Sequence, residues 1–162
     1  MKKKFYSIGL LALALIFSAR INAQDVRLER LGGYSSGVFD EGAAEIVSYD
    51  KGGEKLYFVN ADAGTVSILD ISDASNPVLE STIDVASDVP NTGGLNAVAA
   101  GPNFFAVAVE HDDRQANGYI AFYELDGTFI TSVDAGALPD NIQVSPDGKY
   151  VVSANEGEPN DD

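Results

Sequence analysis

The residues of this chain best equipped for chemistry are acids gathered in short loops. Glu110, Asp112 and Asp113 form one group, and Asn155, Glu156 and Glu158 form another. Carboxylate and amide oxygens are the ligands that a hard divalent ion prefers, and calcium takes roughly six to eight of them. These six residues are the candidate metal ligands and calcium the candidate ion, with magnesium as a second option. No regular calcium-loop spacing runs through either group, so the plain alternative is a solvated acidic surface.

His111 lies inside the first group and is the single histidine of the chain. It can act as a metal ligand or an acid/base group, or stand in a surface loop with no role. Gly33-Tyr34-Ser35-Ser36-Gly37 fits the G-x-S-x-G nucleophile elbow in letters, but that elbow holds its serine exposed only between a strand and a helix. Neither is expected around Ser35, and a flexible entry loop is the simpler reading. There is no cysteine, which removes any Cys/His zinc set and any disulfide, and neither a Walker loop nor a dinucleotide fingerprint occurs.

What must position the acids is a series of short strands. EIVSYD at 45–50, KLYFVNA at 55–61, TVSILDIS at 65–72 and PVLESTIDV at 77–85 are rich in β-branched and aromatic residues and too short for helices. Lys51-Gly52-Gly53-Glu54 and Ala63-Gly64 supply turns between them. The plan recurs in NAVAAG, NFFAVAVEH, GYIAFYELDG and FITSVDAG, and starts a third time in NIQVSPDG and KYVVSANE. The openings fall at Glu45, Asn96 and Asn141, with offsets of 96 − 45 = 51 and 141 − 96 = 45 residues. A period of roughly 40 to 50 residues is that of four-stranded propeller blades. A sandwich of hairpins would also give evenly spaced strands, but its strands need not resemble one another at a fixed offset, whereas stacked blades must.

The expected fold is all-β: a β-propeller of four-stranded antiparallel blades, with about two and a half blades present, at about 45–85, 96–135 and 141–162. Propellers have roughly four to eight blades, so residues 24–162 are expected to be the N-terminal part of a propeller domain, with a sheet edge and apolar blade faces uncovered. Asp25 to Tyr34 is a candidate outer strand for a further blade. Strand direction alternates within a blade, so the loop after each second strand comes to the same end as the segment before each first strand. This gathers Asn60, Asp62, Glu110, His111, Asp112, Asp113, Asn155, Glu156, Glu158, Asn160, Asp161 and Asp162 with Asp40, Glu41, Asp88 and Asp140 at one end.

Residues 1–23 read as a secretory signal, with Lys2-Lys3-Lys4 at the start, an apolar run from Ile8 to Phe17, and cleavage after Ala23. The run is shorter than the roughly 20 residues that cross hydrocarbon, and no other segment is apolar enough to span a membrane. The formal charge is −15 from 10 basic and 25 acidic residues. Losing Lys2, Lys3, Lys4 and Arg20 with the leader leaves 10 − 4 = 6 basic residues and a charge of 6 − 25 = −19. A polyphosphate would be repelled by that surface, which argues against nucleic acid as a partner.

GGEKLYFVNADAGTVSILDIS at 52–72 and SPDGKYVVSANE at 145–156 resemble the repeat of YVTN-type bacterial propellers. GVFDEGAAEIVSYD at 37–50, LNAVAAG at 95–101 and NEGEPNDD at 155–162 resemble the choice-of-anchor I family, which takes in proteins similar to mesenchyme-specific cell-surface glycoproteins. The resemblance implies a large extracellular, cell-surface or periplasmic propeller whose attachment signal lies at its C-terminus, and it assigns no catalytic residue. The expected function is a non-catalytic binding or scaffold domain that meets a cation, glycan, mineral or basic protein on its acidic loops. The alternative is the propeller portion of a metal-dependent extracellular phosphoesterase, and a purely structural surface-layer role is a third reading.

Overall fold

The computed structural model describes residues 27–157, so the expected leader and Glu158, Asn160, Asp161 and Asp162 lie outside the described residues. The chain divides into two compact units, Met1–Arg30 and Leu31–Asp162. Of the first, residues 27–30 are described and carry no secondary structure. The second is built from strands, with a single 3₁₀ turn at Val85–Ser87 and no α-helix among the described residues.

Blade one consists of β1 (Val47–Asp50), β2 (Lys55–Asn60), β3 (Thr65–Asp70) and β4 (Val78–Asp84), hydrogen-bonded in that order. Blade two repeats the meander with β5 (Thr92–Ala100), β6 (Phe104–His111), β7 (Asn117–Glu124) and β8 (Phe129–Ala137). Blade three is represented by the antiparallel pair β9 (Pro139–Val144) and β10 (Val151–Asn155). Every ladder is antiparallel. Residues 27–34 form no strand. Asp25 and Val26 of the expected outer strand lie outside the described residues, and each complete blade draws its four strands from one consecutive stretch.

Side chains of a strand alternate between faces, and residues directly opposite in a ladder share a face. On one side of blade one Tyr57, Val59, Val66 and Ile68 are fully buried. They form a continuous core with Val98, Phe105, Val107, Val109 and Tyr123 of blade two. Tyr57 and Phe105 meet at 4.5 Å between ring centroids, Phe105 stacks on Tyr123 at 5.2 Å, and Phe129 abuts Tyr123 edge-on at 5.5 Å. The Tyr57 hydroxyl donates to the carbonyl of Leu125, tying the turn after β7 to blade one at 3.0 Å. The opposite side of blade two is lined by small residues, Ala97, Ala99, Ala106 and Ala108, and packs on Ile142 of blade three with Val144 and Val151 at the margin.

The turns at one end shift the register between blades. β5 and β6 join through Pro102 and Asn103, closed by the Gly101 N–H donating to Phe104 C=O at 2.8 Å. β9 and β10 join through the longer Pro146–Lys149 turn, closed by Ser145 N–H to Tyr150 C=O at 2.8 Å. The longer turn puts Ile142 in the place of Val98, an offset of 142 − 98 = 44, and Val151 in the place of Phe105, an offset of 151 − 105 = 46. The offset of 45 read from the strand openings lies between these two.

Phe105 sits at the centre of this packing, fully buried between two tyrosine rings. Phe105→Ala is expected to lower stability by about 3–5 kcal/mol, measured by chemical denaturation, because it removes a ring that both blades enclose. Val78→Ala, on an exposed position of β4, is expected to change stability by less than about 0.5 kcal/mol.

Candidate functional site at the acidic end

Three backbone hydrogen bonds fix the end where the acids gather. Asp62 N–H donates to Gly42 C=O at 3.2 Å, Asp112 N–H to Asn91 C=O at 2.8 Å and Glu156 N–H to Leu138 C=O at 2.9 Å. In each blade a residue one or two positions past the second strand is therefore clamped to the segment that enters the first strand. All three clamped residues are acidic and exposed. The entry segments themselves make tight bends, with positive φ at Asp40 (63°), Asn91 (55°) and Leu138 (49°). Strand alternation thus sorts the loops as the sequence predicts within each blade.

The acids at the two ends of the blades are used differently. At the turn end Asp50 accepts from Gly52 and Gly53 N–H, at 2.8 and 3.0 Å. Asp126 accepts from Thr128 N–H at 2.9 Å, and Asp147 accepts from the Ser145 hydroxyl at 2.7 Å and Lys149 N–H at 3.2 Å. In the β3–β4 connection Asp70 and Asp73 accept from the Ser72 and Ser75 N–H groups, at 2.8 and 3.0 Å. Donors aimed at the ionised form hold the carboxyls of Asp70, Asp73, Asp126 and Asp147 below the usual carboxylate value. By contrast, the side chains of Asp40, Glu41, Asp62, Asp140 and Glu156 at the loop end make no hydrogen bond or ion pair among the described residues. Cations are divided as well: Lys51, Lys55 and Lys149 lie at the turn end, and among the described residues of the second unit Arg114 alone stands on the loop end.

The expected metal ligands do not converge among the described residues, where no group of three or more His, Asp or Glu side chains is placed to hold an ion. Glu110 is engaged in the blade interface: its carboxylate accepts from the Asn96 amide at 2.8 Å, and the same amide donates to Pro139 C=O of blade three at 3.0 Å. Asp112 Oδ1 accepts from Asp113 N–H and lies 2.9 Å from His111 Nδ1. The Asp113 N–H also lies 2.9 Å from His111 Nδ1, so that nitrogen and the Asp112 carboxylate share one backbone donor. Asp113 accepts from Gln115 N–H at 3.0 Å, and Asn155 accepts from the Ser153 hydroxyl at 3.3 Å. Glu158 is outside the described residues. His111 is thus folded into its own loop, and Ser35 stands on neither a strand nor a helix; its hydroxyl oxygen takes Gly37 N–H at 3.4 Å.

Two features of this end were not legible in the sequence. Asn96 links Glu110 to blade three, a role that only the three-dimensional neighbour reveals. Asp84 accepts from Ala86 N–H at 3.2 Å and from the Ser87 hydroxyl at 2.9 Å, capping the 3₁₀ turn that carries Val85 and Val89 into the core. Beneath that connector the Tyr123 hydroxyl is buried and makes no hydrogen bond of ordinary length. Burial, and then the nearby Asp88 carboxylate, raises its pKa well above the usual tyrosine value.

The model of the family described as Choice-of-anchor I domain matches residues 45–162. This chain belongs to that family. A choice-of-anchor domain marks an exported or surface-held protein, and no helix of the described residues is long and apolar enough to cross a membrane. No curated protein matches the chain. Among solved structures, the Kuenenia stuttgartiensis hydrazine synthase aligns with a TM-score of 0.57 at 21% identity, over 77% of this chain and 33% of that one. This choice-of-anchor I chain spans about a third of that solved β-propeller-type chain, and the likeness shows the fold alone.

The turn-end aspartates give a pH dependence with a defined sign. Their folded-state pKa values lie below the ordinary 3.8, so their contribution is complete above that value and is lost as pH falls through the folded pKa. Thermal unfolding followed between pH 7 and pH 2 is expected to show a melting temperature that falls below about pH 4. Asp147→Asn is expected to flatten part of that fall.

Proposed function

We propose that this propeller is a non-catalytic binding domain, displayed outside the cytoplasm, that takes a cationic partner on its loop end. The observation that carries this reading is the equivalent placement of Asp62, Asp112 and Glu156, one per blade and clamped by the same backbone bond. Fixed, exposed carboxylates with few cations near them set up a negative potential over that end, which steers and holds a positive ligand. Two ligand classes suit it: a lysine- or arginine-rich protein surface, and calcium bound through Glu110, Asp112, Asp113, Asn155, Glu156 and Glu158. The first is favoured, because Glu110, Asp112, Asp113 and Asn155 of the calcium set are already engaged by neighbouring donors, and no three His, Asp or Glu side chains among the described residues are grouped to hold an ion. A binding role is favoured over hydrolysis because His111 and Ser35 are each held by local contacts and, among the described residues, are not paired with one another as nucleophile and base.

The test uses the protein expressed from its whole reading frame and a fluorescent lysine-rich peptide. Combined Asp62→Asn, Asp112→Asn and Glu156→Gln is expected to weaken binding about tenfold at low salt, as three surface charges worth roughly 0.5 kcal/mol each would do. An affinity unchanged by the triple substitution, or insensitive to salt, would refute the assignment of this end. Millimolar calcium, with magnesium as the comparison, separates the two ligand classes. A calcium-specific rise in melting temperature that is lost with Asp112→Asn would place the ion at this end.

A further inference from the structure

Blade three presents to solvent the side that blade two presents to blade three. The ladders put Tyr150 in the place of Phe104, Val152 in the place of Ala106 and Ala154 in the place of Ala108. Ala106 and Ala108 are fully buried at the interface, whereas Tyr150 is 70% exposed and Val152 63% exposed. At the other end of the arc the relation is reversed. Val98 and Ala100 of blade two, and Ile142 and Val144 of blade three, pack towards the preceding blade. The corresponding Val47 and Tyr49 of blade one are 60% and 55% exposed.

The inner strands add a polar detail to this match. β1 and β9 both lead into four-residue turns, which sets Gln143 in the place of Ser48 and Val152 in the place of Tyr57. The Ser48 hydroxyl accepts the backbone N–H of Ala100 from the neighbouring blade at 2.8 Å, joining the first strands of blades one and two. Gln143 is exposed on the open side, at the position where that acceptor is needed.

We infer that the open side of blade three is a docking face for a further blade of the same ring, with Val152 as its central apolar contact and Gln143 as acceptor for a backbone N–H of the incoming first strand. The occupant is specified by continuity with the two interfaces already formed. It is a four-stranded antiparallel sheet whose first two strands present branched aliphatic or aromatic side chains, as Ile142, Val144 and Val151 do towards blade two. An isolated apolar ligand would leave the Gln143 amide without the backbone N–H that an incoming first strand supplies, as Ala100 supplies it to Ser48.

The chain has no cysteine, so Val152→Cys and, as a control on the outer strand, Val78→Cys each introduce one thiol at a site more than half exposed here. In the protein expressed from its whole reading frame, maleimide labelling of the peptide containing each position is followed by mass spectrometry. The thiol of the Val152→Cys variant is expected to react about a hundredfold more slowly than that of the Val78→Cys variant under native conditions, and equally fast in denaturant, because labelling must await opening of the blade interface. Equal native rates would overturn the inference. Protection that disappears on dilution would also overturn it, by assigning the face to a second copy of the chain. Because valine to cysteine is a small change, the measurement does not depend on tolerance of a disruptive variant.

Discussion

A sheet that is apolar on both faces must be covered twice, and blade two is covered twice. Its one face meets Tyr57, Val59, Val66 and Ile68, and its other meets Ile142. Because coverage on each side comes from another sheet, the strands cannot carry the alternation of polar and apolar residues that a one-sided sheet shows. β6 is buried from Phe105 through Val109. The two interfaces solve the volume problem differently. The first fills its space with aromatic rings in sequence, and the second uses alanines so that the blade-three strands can approach closely.

Once both faces are committed to packing, only the strand ends remain for other work. At the turn end the aspartates are consumed by the fold: each accepts N–H groups in a connection that would otherwise leave those donors to water. The loop end is organised by backbone bonds instead, Asp62 to Gly42, Asp112 to Asn91 and Glu156 to Leu138. There the backbone supplies the rigidity and the side chains are released from it. The exceptions are Asp84, Asp112 and Asp113, which accept local donors, and Glu110, whose bond with Asn96 helps to hold blades two and three together.

Strand positions were legible in the sequence because short runs of β-branched and aromatic residues bounded by Gly and Asp turns have few other folded solutions. The ends of KLYFVNA and TVSILDIS differ from β2 and β3 by one and two residues, within the region where ladders fray into turns. The ladder register was not legible to the residue. Apolar runs buried on both faces do not say which members point to the preceding blade, and the two extra residues of the β9–β10 turn move the inner and second strands in opposite senses. The grouping of Asp62, Asp112 and Glu156 at one end followed from strand alternation. The engagement of Glu110 by Asn96 of the neighbouring strand, and of Asp112 and Asp113 within their own loop, did not, because bonds from Asn96, Asp113 and Gln115 depend on rotamers that composition does not encode.

The energetic asymmetry of the two ends bears on function. A chain with 25 acidic residues against 10 basic ones repels itself when compact. Turn-end aspartates offset part of that repulsion through the hydrogen bonds that lower their pKa values. Asp40, Glu41, Asp62, Asp140 and Glu156 have no such return within the described residues, and among the described residues of the second unit Arg114 is the one Lys or Arg on their side. For the fold alone these acids are a net cost, moderated by solvent and salt. The positive ligand proposed above would recover that cost, and because the Asp62 and Glu156 backbone is already clamped, little further ordering would oppose the encounter there.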